Sequence, residues 1–295
     1  MPKLDHRELL TFCRRLLVTG GVPREDADLV AGLLVKAELR GYAGHGVSRV
    51  SQYLSFIKNK TYDLSARPQV EREGKVTAVI DGKHYIGQVA AHMAMTLAIN
   101  KAKEHGAGIV CLRRSGHTGR LADYMEMATE QGMIGMGAVS VGSATTTLYG
   151  GMKPITGTNP MAFGIPTRNR QPIILDFATA SMSMGEIQKR VARKEAIPDG
   201  VILDGHGVNG VFLQAICVEE FQPVAKFYDK VDELIAFASS TKCAPGFSEI
   251  LMPGESGRRK EAMHRENGVE INGDTRSELT ALAAGLGVHE VPATL

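Results

Sequence analysis

Cysteine is scarce in this chain of 295 residues: the 4 cysteines lie far apart and form no Cys-x-x-Cys pair. This spacing argues against a disulfide framework and is typical of reduced, mostly buried thiols. Long apolar runs are also missing, which excludes a membrane-spanning segment, and the polar start of the chain lacks the apolar core of an export signal. We therefore expect a cytoplasmic protein with no membrane partner.

Several catalytic and cofactor motifs are missing as well. There is no G-x-G-x-x-G after a strand, which excludes the usual dinucleotide fingerprint, and no G-x-x-x-x-G-K-[ST] phosphate loop. The chain has neither an H-E-x-x-H pair nor a close His/Cys cluster, so we expect no metal site. A G-x-S-x-G nucleophile elbow is absent. The 34 basic and 32 acidic residues are spread evenly, so no nucleic-acid partner is indicated.

What the chain does contain is a pair of glycine-flanked histidines, His45 and His117. Each is followed within a turn by an arginine, Arg49 in the first motif and Arg120 in the second. Imidazole gives and takes a proton near neutral pH, and guanidinium binds a carboxylate through two parallel hydrogen bonds. Together these residues predict a site for a small carboxylic acid whose neighbouring oxygen gains or loses a proton.

Structural explanations compete with this hypothesis. Either histidine could instead hydrogen-bond to the backbone of a turn, and Arg49 could form a surface salt bridge. His117, however, follows a predicted strand at 108–112, and ligand groups of α/β proteins lie beyond the carboxyl ends of strands. Arg49 and Tyr53 lie four residues apart on a predicted helix and share a face, which favours a polar pocket.

Two further features have two equally good interpretations. Asp176 ends a very apolar strand, where an acid either caps the next turn or accepts a hydrogen bond from a ribose or an amide. The glycine-rich stretch 254–257 is either a plain turn or a loop that approaches a ligand.

Hydrophobic periodicity predicts an α/β protein. A helical N-terminal subdomain at 1–65 is expected to pack with a C-terminal helix at 274–290, and an α/β domain is expected at 66–273. Helices are predicted near 9–17, 23–35, 47–57, 88–104, 121–130, 227–239 and 275–286. Strands are predicted at 76–80, 108–112, 134–141, 172–179, 211–218 and 250–255.

In combination, these motifs resemble the malate/L-lactate dehydrogenase family that is unrelated to Rossmann-type enzymes. The family includes malate, lactate, sulfolactate and ureidoglycolate dehydrogenases and reductases of cyclic imino acids, and the His-Thr-Gly-Arg stretch is most similar to hydroxycarboxylate dehydrogenases. The resemblance extends from about residue 5 to residue 287. It rests on residues 44–49, Tyr53, 81–82, 114–120, 132–135, 150–151, 157–160, 175–179, 197–200 and 253–255.

The resemblance implies a non-Rossmann, mixed-sheet NAD(P)-binding fold and a homodimer whose sites take residues from both subunits. It implies NAD as the cofactor, with NADP as the alternative, and acid/base roles for His117 and His45. Arg49 matches the position that holds the substrate carboxylate. The implied cofactor-binding residues are Ile174, Leu175, Asp176, Phe177, Ala178, Thr179, Ala180, Gly254, Glu255 and Ser256.

The chain departs from the family pattern at two places. Gly44 stands where the family usually has a serine, so one hydrogen bond to the substrate or to His45 is lost. After residues 197–200 the family has a long stretch that touches the cofactor, whereas here residues 203–210 pass almost directly into the strand predicted at 211–218.

The sequence thus predicts an NAD(P)-dependent dehydrogenase acting on a small 2-hydroxy or 2-oxo carboxylic acid. His117 is slightly favoured over His45 as the acid/base, Arg49 binds the substrate carboxylate, and Tyr53 and Arg120 are further substrate-binding residues. One alternative is an NADPH-dependent reductase of a cyclic imino acid such as a pyrroline or piperideine carboxylate. The other is an inactive, ligand-binding relative, because cofactor-binding residues are missing.

Overall fold

The computed structural model describes residues 3–142, 144, 146, 147, 149, 152–169, 171–180, 209–293 and 295. No helix in these ranges is both long and apolar enough for a membrane crossing. The helices are α1 His6–Thr19, α2 Arg24–Leu39, α3 Arg49–Lys58, α4 Gly87–His105, α5 Ala122–Thr129, α6 Val224–Ser239, α7 Glu255–Asn267 and α8 Gly273–Gly285. The strands are β1 Gln69–Glu73, β2 Thr77–Asp81, β3 Ala107–Ser115, β4 Ile134–Ser140, β5 Thr146–Thr147, β6 Pro154–Thr156, β7 Met161–Ile165, β8 Ile173–Phe177 and β9 Asn209–Ile216.

Apolar stripes turn the N-terminal helices toward a common core. On α1, Leu9, Phe12 and Leu16 recur at helical spacing and are almost completely buried, which is the pattern of a helix with one core-facing side. The carboxylate of Asp5 accepts a hydrogen bond from the amide of Arg7 and caps the start of α1. α1, α2 and α3 therefore bury their apolar faces against one another.

The C-terminal helix shares this core. Leu279 and Ala283 of α8 belong to the same apolar cluster as the buried residues of α1–α3, and Leu4 forms an isolated antiparallel bridge with Val269. The two ends of the described chain are thus packed together. The division of the chain into domains at residue 65 stays a prediction.

The larger sheet is mixed, as predicted from the sequence. Seven strands within the described ranges are ordered β1-β2-β3-β9-β4-β7-β8. β2 and β3 run parallel, and the other neighbours pair antiparallel. α4 and α5 cover one face, where their side chains share an apolar cluster with those of β3, β4 and β9. Strand β9, late in the chain, lies between β3 and β4.

Close backbone packing fixes the loop after β3. A Cβ on Gly87, the first residue of α4, would lie 2.1 Å from the carbonyl oxygen of Gly116, and one on Gly116 would lie 2.7 Å from the ring of Tyr62. The side-chain amide of Asn209 on β9 donates to the same carbonyl at 3.2 Å. Glycine at positions 87 and 116 thus lets three elements converge on the loop that carries His117.

The strand predicted at 250–255 is wrong. These residues form irregular chain that leads into α7, although the amide of Ile174 on β8 donates to the carbonyl of Pro253 at 3.0 Å. Proline lacks the amide hydrogen that a central strand needs. α7 itself was missed because it has no apolar stripe. Its exposed face instead carries i,i+4 ion pairs, Glu255 with Arg259 and Glu261 with Arg265.

The periodicity also missed strands β1 and β7. All five residues of β1 are exposed, so β1 lacks the alternation that marks a half-buried strand. Some residues that carry the family resemblance lie outside the described ranges, namely 150–151 and 197–200, as does the shortened stretch at 203–208.

Candidate functional site

The two glycine-flanked histidines lie side by side. His45 belongs to a short 3-10 turn after α2, and His117 lies in the loop after β3. Their rings stack with centroids 5.3 Å apart and an interplanar angle of 3°. His117 Nε2 is 3.3 Å from His45 Nδ1, and His117 Nδ1 is 2.7 Å from the hydroxyl of Tyr53. We call this row of three hydrogen-bonded side chains, Tyr53–His117–His45, the imidazole row.

The surroundings of the imidazole row keep both rings neutral. Burial, with the positive charges of Arg49 and Arg120, lowers the pKa of His45 to about 4. Burial and the charge of Arg49 hold the pKa of His117 well below its ordinary value, and burial raises the pKa of Tyr53. Burial disfavours the charged form of each group. At neutral pH the row therefore consists of a phenol and two uncharged imidazoles.

Arg49 lies one turn from Tyr53 on α3, as predicted, and is only 8% exposed. Its Nε donates to the carbonyl of Gly44 at 2.8 Å, and its Nη1 donates to Oε1 of Gln52 at 2.7 Å. Both acceptors are neutral, and within the described ranges Arg49 forms no salt bridge. The guanidinium is thus oriented by the protein while its charge stays uncompensated.

The turn that carries His45 is held by a buried acid. The amide of Val47 donates to Oε2 of Glu38 at 3.0 Å. A Cβ on Gly46 would lie 1.9 Å from the same oxygen, so only glycine lets the chain pass this close. Glycine is therefore required at position 46 for packing against Glu38. Gly44, on the other side of His45, supplies the carbonyl that accepts the hydrogen bond from Arg49.

A cavity of about 150 Å³ is lined by parts of both predicted cofactor segments. Ile174, Leu175 and Asp176 of β8 and Gly254 of the turn before α7 contribute to its wall, together with Arg120. Gly254 has a φ of +86°, and a Cβ there would lie 3.2 Å from Ile174. The sequence thus located two segments, distant in the chain, that meet at one cavity.

Asp176 has a structural role that differs from the predicted one, because it binds the start of α5 rather than the turn that follows its own strand. Its Oδ2 accepts a hydrogen bond from the amide of Ala122 at 2.8 Å, at the start of α5. Burial raises the pKa of Asp176 above its ordinary value, although the Ala122 amide and Arg120 act in the opposite direction. Because Asp176 also lines the cavity, a role as an acceptor for a ligand remains compatible with its position.

The other implied cofactor residues do not line this cavity. Thr179 donates through its amide to the carbonyl of Thr158 at 3.0 Å, and the carboxylate of Glu255 accepts a hydrogen bond from the amide of Met252 at 3.1 Å. Four more residues of the implied set belong to the same two segments but do not line the cavity: Phe177, Ala178, Ala180 and Ser256.

Residues that the motifs did not single out complete the site. Arg40, Tyr42 and Glu126 line the cavity, and the hydroxyl of Tyr62 accepts a hydrogen bond from the amide of His117 at 2.9 Å. Arg40 and Tyr42 directly precede the first histidine motif, and this proximity in the sequence could have indicated that they belong to the site. No pattern in the sequence marks Tyr62 or Glu126, because their contacts depend on the tertiary fold.

Comparison with known proteins places the chain among dehydrogenases. The malate dehydrogenase of Pyrococcus abyssi is 30% identical over 347 residues, with 97% of this chain and 95% of that protein covered. The structure of malate dehydrogenase from Pyrococcus horikoshii OT3 superposes with a TM-score of 0.88 and 30% identity, covering 98% and 97% of the two chains. A Delta(1)-pyrroline-2-carboxylate/Delta(1)-piperideine-2-carboxylate reductase of Pseudomonas syringae pv. tomato is 32% identical over 206 residues, which cover 70% of this chain and 60% of that protein.

The chain is shorter than the Pyrococcus abyssi relative within the aligned region. The alignment with the Pyrococcus abyssi protein spans 347 residues, more than the 295 residues of this chain. The family model described as malate/L-lactate dehydrogenase matches residues 4–209 and ends where β9 begins, close to the expected departure. That match covers well over half of the sequence, and the chain belongs to the malate/L-lactate dehydrogenase family.

Proposed function

We propose that the protein transfers a hydride between a nicotinamide cofactor and C2 of a small 2-hydroxy or 2-oxo carboxylic acid. The observation that carries this proposal is the imidazole row next to two buried guanidiniums, those of Arg49 and Arg120. A proton donor and acceptor for the C2 oxygen and a charged group for the carboxylate are the two requirements of that reaction. They come from separate stretches of the chain that the fold brings together.

The residues around the cavity fit part of a dinucleotide. A carboxylate at Asp176, the edge strand β8 and the glycine turn at Gly254 offer groups that recognise ribose or amide. The cavity volume of about 150 Å³ is below the roughly 300–1,000 Å³ of a complete ligand site, so these residues hold only a portion of the cofactor. When bound, the nicotinamide cofactor supplies or accepts the hydride; NAD is our first choice and NADP the alternative.

The order of hydrogen bonds favours His45 as the group that faces the substrate oxygen. Tyr53 keeps its proton because of its raised pKa, so in one tautomer of the row its hydroxyl donates to His117 Nδ1. The remaining proton of neutral His117 then lies on Nε2 and is donated to His45 Nδ1. Both nitrogens of His117 are occupied, and His45 Nε2 has no hydrogen bond within the described ranges. The strand-end position alone favours His117 as the acid/base. With this order of hydrogen bonds, we propose instead that His117 relays the proton and orients His45.

Each remaining step follows from side chains of this protein. Arg49 binds the substrate carboxylate with the part of its guanidinium that Gly44 and Gln52 leave open. During reduction, the imidazole row in its protonated form gives a proton from His45 Nε2 to the developing C2 alkoxide. During oxidation, the proton goes to His45 Nε2 in the other tautomer of the row, in which His45 Nδ1 donates to His117 Nε2 and His117 Nδ1 donates to the Tyr53 oxygen. His45 Nε2 then carries the lone pair that accepts the proton. Such proton transfer accelerates reactions by about 10²- to 10⁴-fold.

The test is a steady-state assay of the full chain with NADH and NADPH against a panel of 2-oxo acids. We expect turnover with at least one acid, and we expect His117→Ala and His45→Ala to lower the turnover rate about 100-fold or more. Cofactor affinity, measured by nucleotide fluorescence, should change little in both variants. His105→Ala is the matched control, because His105 ends α4 beside Glu104, away from the imidazole row. Turnover within a few-fold of the parent in both histidine variants would contradict the proposed roles.

A second candidate is a reductase of a cyclic imino acid, favoured by the similarity to the Pseudomonas syringae reductase. The carboxylate would bind in the same way, and the proton would go to the ring nitrogen. Adding Delta(1)-piperideine-2-carboxylate to the panel separates the two reactions. A chain that binds neither nucleotide would instead be the inactive, ligand-binding relative. A homodimer remains a prediction, which light scattering of the purified protein tests.

A further inference from the structure

Gln52 fixes the orientation of the Arg49 guanidinium. The two residues lie three positions apart on α3 and therefore share one side of that helix. Arg49 Nη1 donates to Gln52 Oε1 at 2.7 Å, and Arg49 Nε donates to the carbonyl of Gly44 at 2.8 Å. A guanidinium has more N–H donors than these two, and the others make no hydrogen bond within the described ranges. An oriented cation thus keeps donors for a ligand.

The amide nitrogen of Gln52 is a further donor at the same place. A guanidinium only donates, so the amide oxygen must face Arg49, and Nε2 keeps both of its hydrogens for other partners. Oε1 and Nε2 are bonded to the same carbon, so Nε2 lies within about 5 Å of Arg49 Nη1. Gln52 is half-buried, and Nε2 is not among the fully buried polar atoms without a partner. A ligand that reaches Arg49 therefore meets this N–H group as well.

Gln52 is also a neutral acceptor, which leaves the charge of Arg49 uncompensated. Arg49 is 8% exposed and forms no salt bridge within the part of the chain that the structure describes. Arg40, which is similarly buried, is instead compensated by the carboxylates of Glu126 and Glu261. A buried charge without a counter-ion is unfavourable. An amide orients Arg49 without consuming the charge that attracts a carboxylate.

The chain places this pair beside the imidazole row. Tyr53, the first member of the row, follows Gln52 directly on α3. Gly44, the other acceptor for Arg49, directly precedes His45. Each acceptor of the guanidinium is therefore a neighbour in the chain of a side chain in the row. A carboxylate bound by this pair would lie next to the groups proposed to transfer the proton.

We propose that Gln52 is a substrate-binding residue: its amide oxygen holds Arg49 in place, and its amide nitrogen donates to the carboxylate that Arg49 binds. This inference rests on the proposed function, and it adds a residue outside the two histidine motifs. A glutamine serves both purposes, because its amide has an acceptor and two donors. A glutamate at position 52 would accept from Arg49 equally well, but it would neutralise the cation and repel the substrate carboxylate.

The test is the KM of variants of the full chain, measured with the 2-oxo acid that the parent turns over fastest. Gln52→Met keeps the length of the side chain but loses both hydrogen bonds, and we expect KM to rise about tenfold. Gln52→Glu keeps the contact with Arg49 and adds a negative charge, and we expect a rise of about 100-fold or more. In both variants kcat should change less than about threefold, because the lost binding is common to the ground and transition states.

Gln131→Glu is the matched control. Gln131 Oε1 also accepts a hydrogen bond from a cation, Lys103 Nζ at 2.6 Å, but this pair is exposed, so KM should stay at the parent value. The melting temperature of Gln52→Glu should not fall below that of the parent, because the new carboxylate pairs with a buried cation. Neither Gln52 variant should change the dissociation constant of NADH, measured by nucleotide fluorescence.

Three results would overturn the inference. An equal rise in KM for Gln52→Glu and Gln52→Met would show that charge at this position does not influence the substrate. An unchanged KM in Gln52→Met would show that neither hydrogen bond serves the substrate. A lower melting temperature of Gln52→Glu, or a raised dissociation constant for NADH, would assign the effect to the fold or to the cofactor.

If the parent turns over no 2-oxo acid, the proposed function fails, and calorimetric titration with oxamate, a carboxylate that is not reduced, decides about Gln52 separately. Oxamate binding that is lost in Gln52→Glu and kept in Gln131→Glu supports the inference. Absent binding to the parent, or equal binding to the parent and to Gln52→Glu, overturns it.

Discussion

Binding of a substrate anion should be accompanied by uptake of a proton. In the free protein the imidazole row is neutral at pH 6, because the pKa of His45 is about 4 and that of His117 is also lowered. A carboxylate bound to Arg49 compensates one of the cations that lower these pKa values and adds a negative charge nearby. The protonated form of the row, which the reduction step requires, is therefore favoured by the substrate itself.

The size of this effect is large enough to measure. A unit charge about 5 Å from an imidazole, at an effective dielectric constant of about 20, contributes about 3.3 kcal/mol. That equals about 2.5 pKa units at 1.36 kcal/mol each, which would move the pKa of the row from about 4 back to about 6.5. At pH 6 the liganded site would then hold about three quarters of a proton more than the free site.

Calorimetric titration of the cofactor-loaded protein with oxamate, a carboxylate analogue of a 2-oxo acid, measures this quantity. The observed enthalpy is plotted against the ionisation enthalpy of the buffer, and the slope gives the number of protons taken up. We expect a slope near three quarters at pH 6 for the parent and a much smaller one for His45→Gln. Oxamate that binds the parent without proton uptake, or with release, would refute the assignment of a neutral row that becomes protonated with substrate.

Three other predictions follow from the same contacts. Tyr53→Phe removes the 2.7 Å hydrogen bond to His117 and should lower kcat up to about tenfold with little change in cofactor affinity, as steady-state kinetics would show. Because the folded pKa of His45 is depressed to about 4, the stability that its neutral form contributes is complete above about pH 6.5 and is lost as the pH falls. By pH 4.5 the free energy of unfolding, measured with urea, should have fallen by about 2–3 kcal/mol. This decrease should be smaller in His45→Gln. Gly87→Ala would place a Cβ 2.1 Å from the carbonyl of Gly116 and should lower both the melting temperature and turnover, at a cost of about 1–3 kcal/mol. Gly32→Ala, with open space around it inside α2, should leave turnover unchanged and raise the melting temperature slightly, because alanine favours a helix more than glycine does.

The sequence was informative wherever a local pattern decides the structure. Strand β3 and helix α5 on either side of His117 follow directly from apolar runs and helical spacing, and Arg49 and Tyr53 share a buried face because they lie one turn apart. α7 could not be found in this way, since surface ion pairs rather than an apolar stripe support it. Periodicity reports burial, and an element that is little buried leaves no such pattern.

The meeting of the two histidines depends on long-range packing that no local pattern contains. His45 and His117 are 72 positions apart, and their contact requires α4 to press Gly87 against the loop after β3. The spacing of residues along the sequence does not show that α4 and this loop come into contact. The motifs therefore predicted which side chains are candidates for the chemistry, while the order of the imidazole row, and with it our preference for His45 as the terminal group, required the fold.

We expect the shortening predicted after residues 197–200 to weaken cofactor binding more than it slows proton transfer. The imidazole row and both arginines come from residues before α5, and β9, which follows the shortening, still pairs with β3 and β4 on its two sides and binds the loop of His117 through Asn209. The frame that aligns the acid and the carboxylate site is thus built from described residues. We expect the additional residues of the relatives to include cofactor contacts, as the family resemblance implies. We therefore expect a high dissociation constant for the nucleotide, together with turnover that still depends on His45 when the nucleotide is saturating.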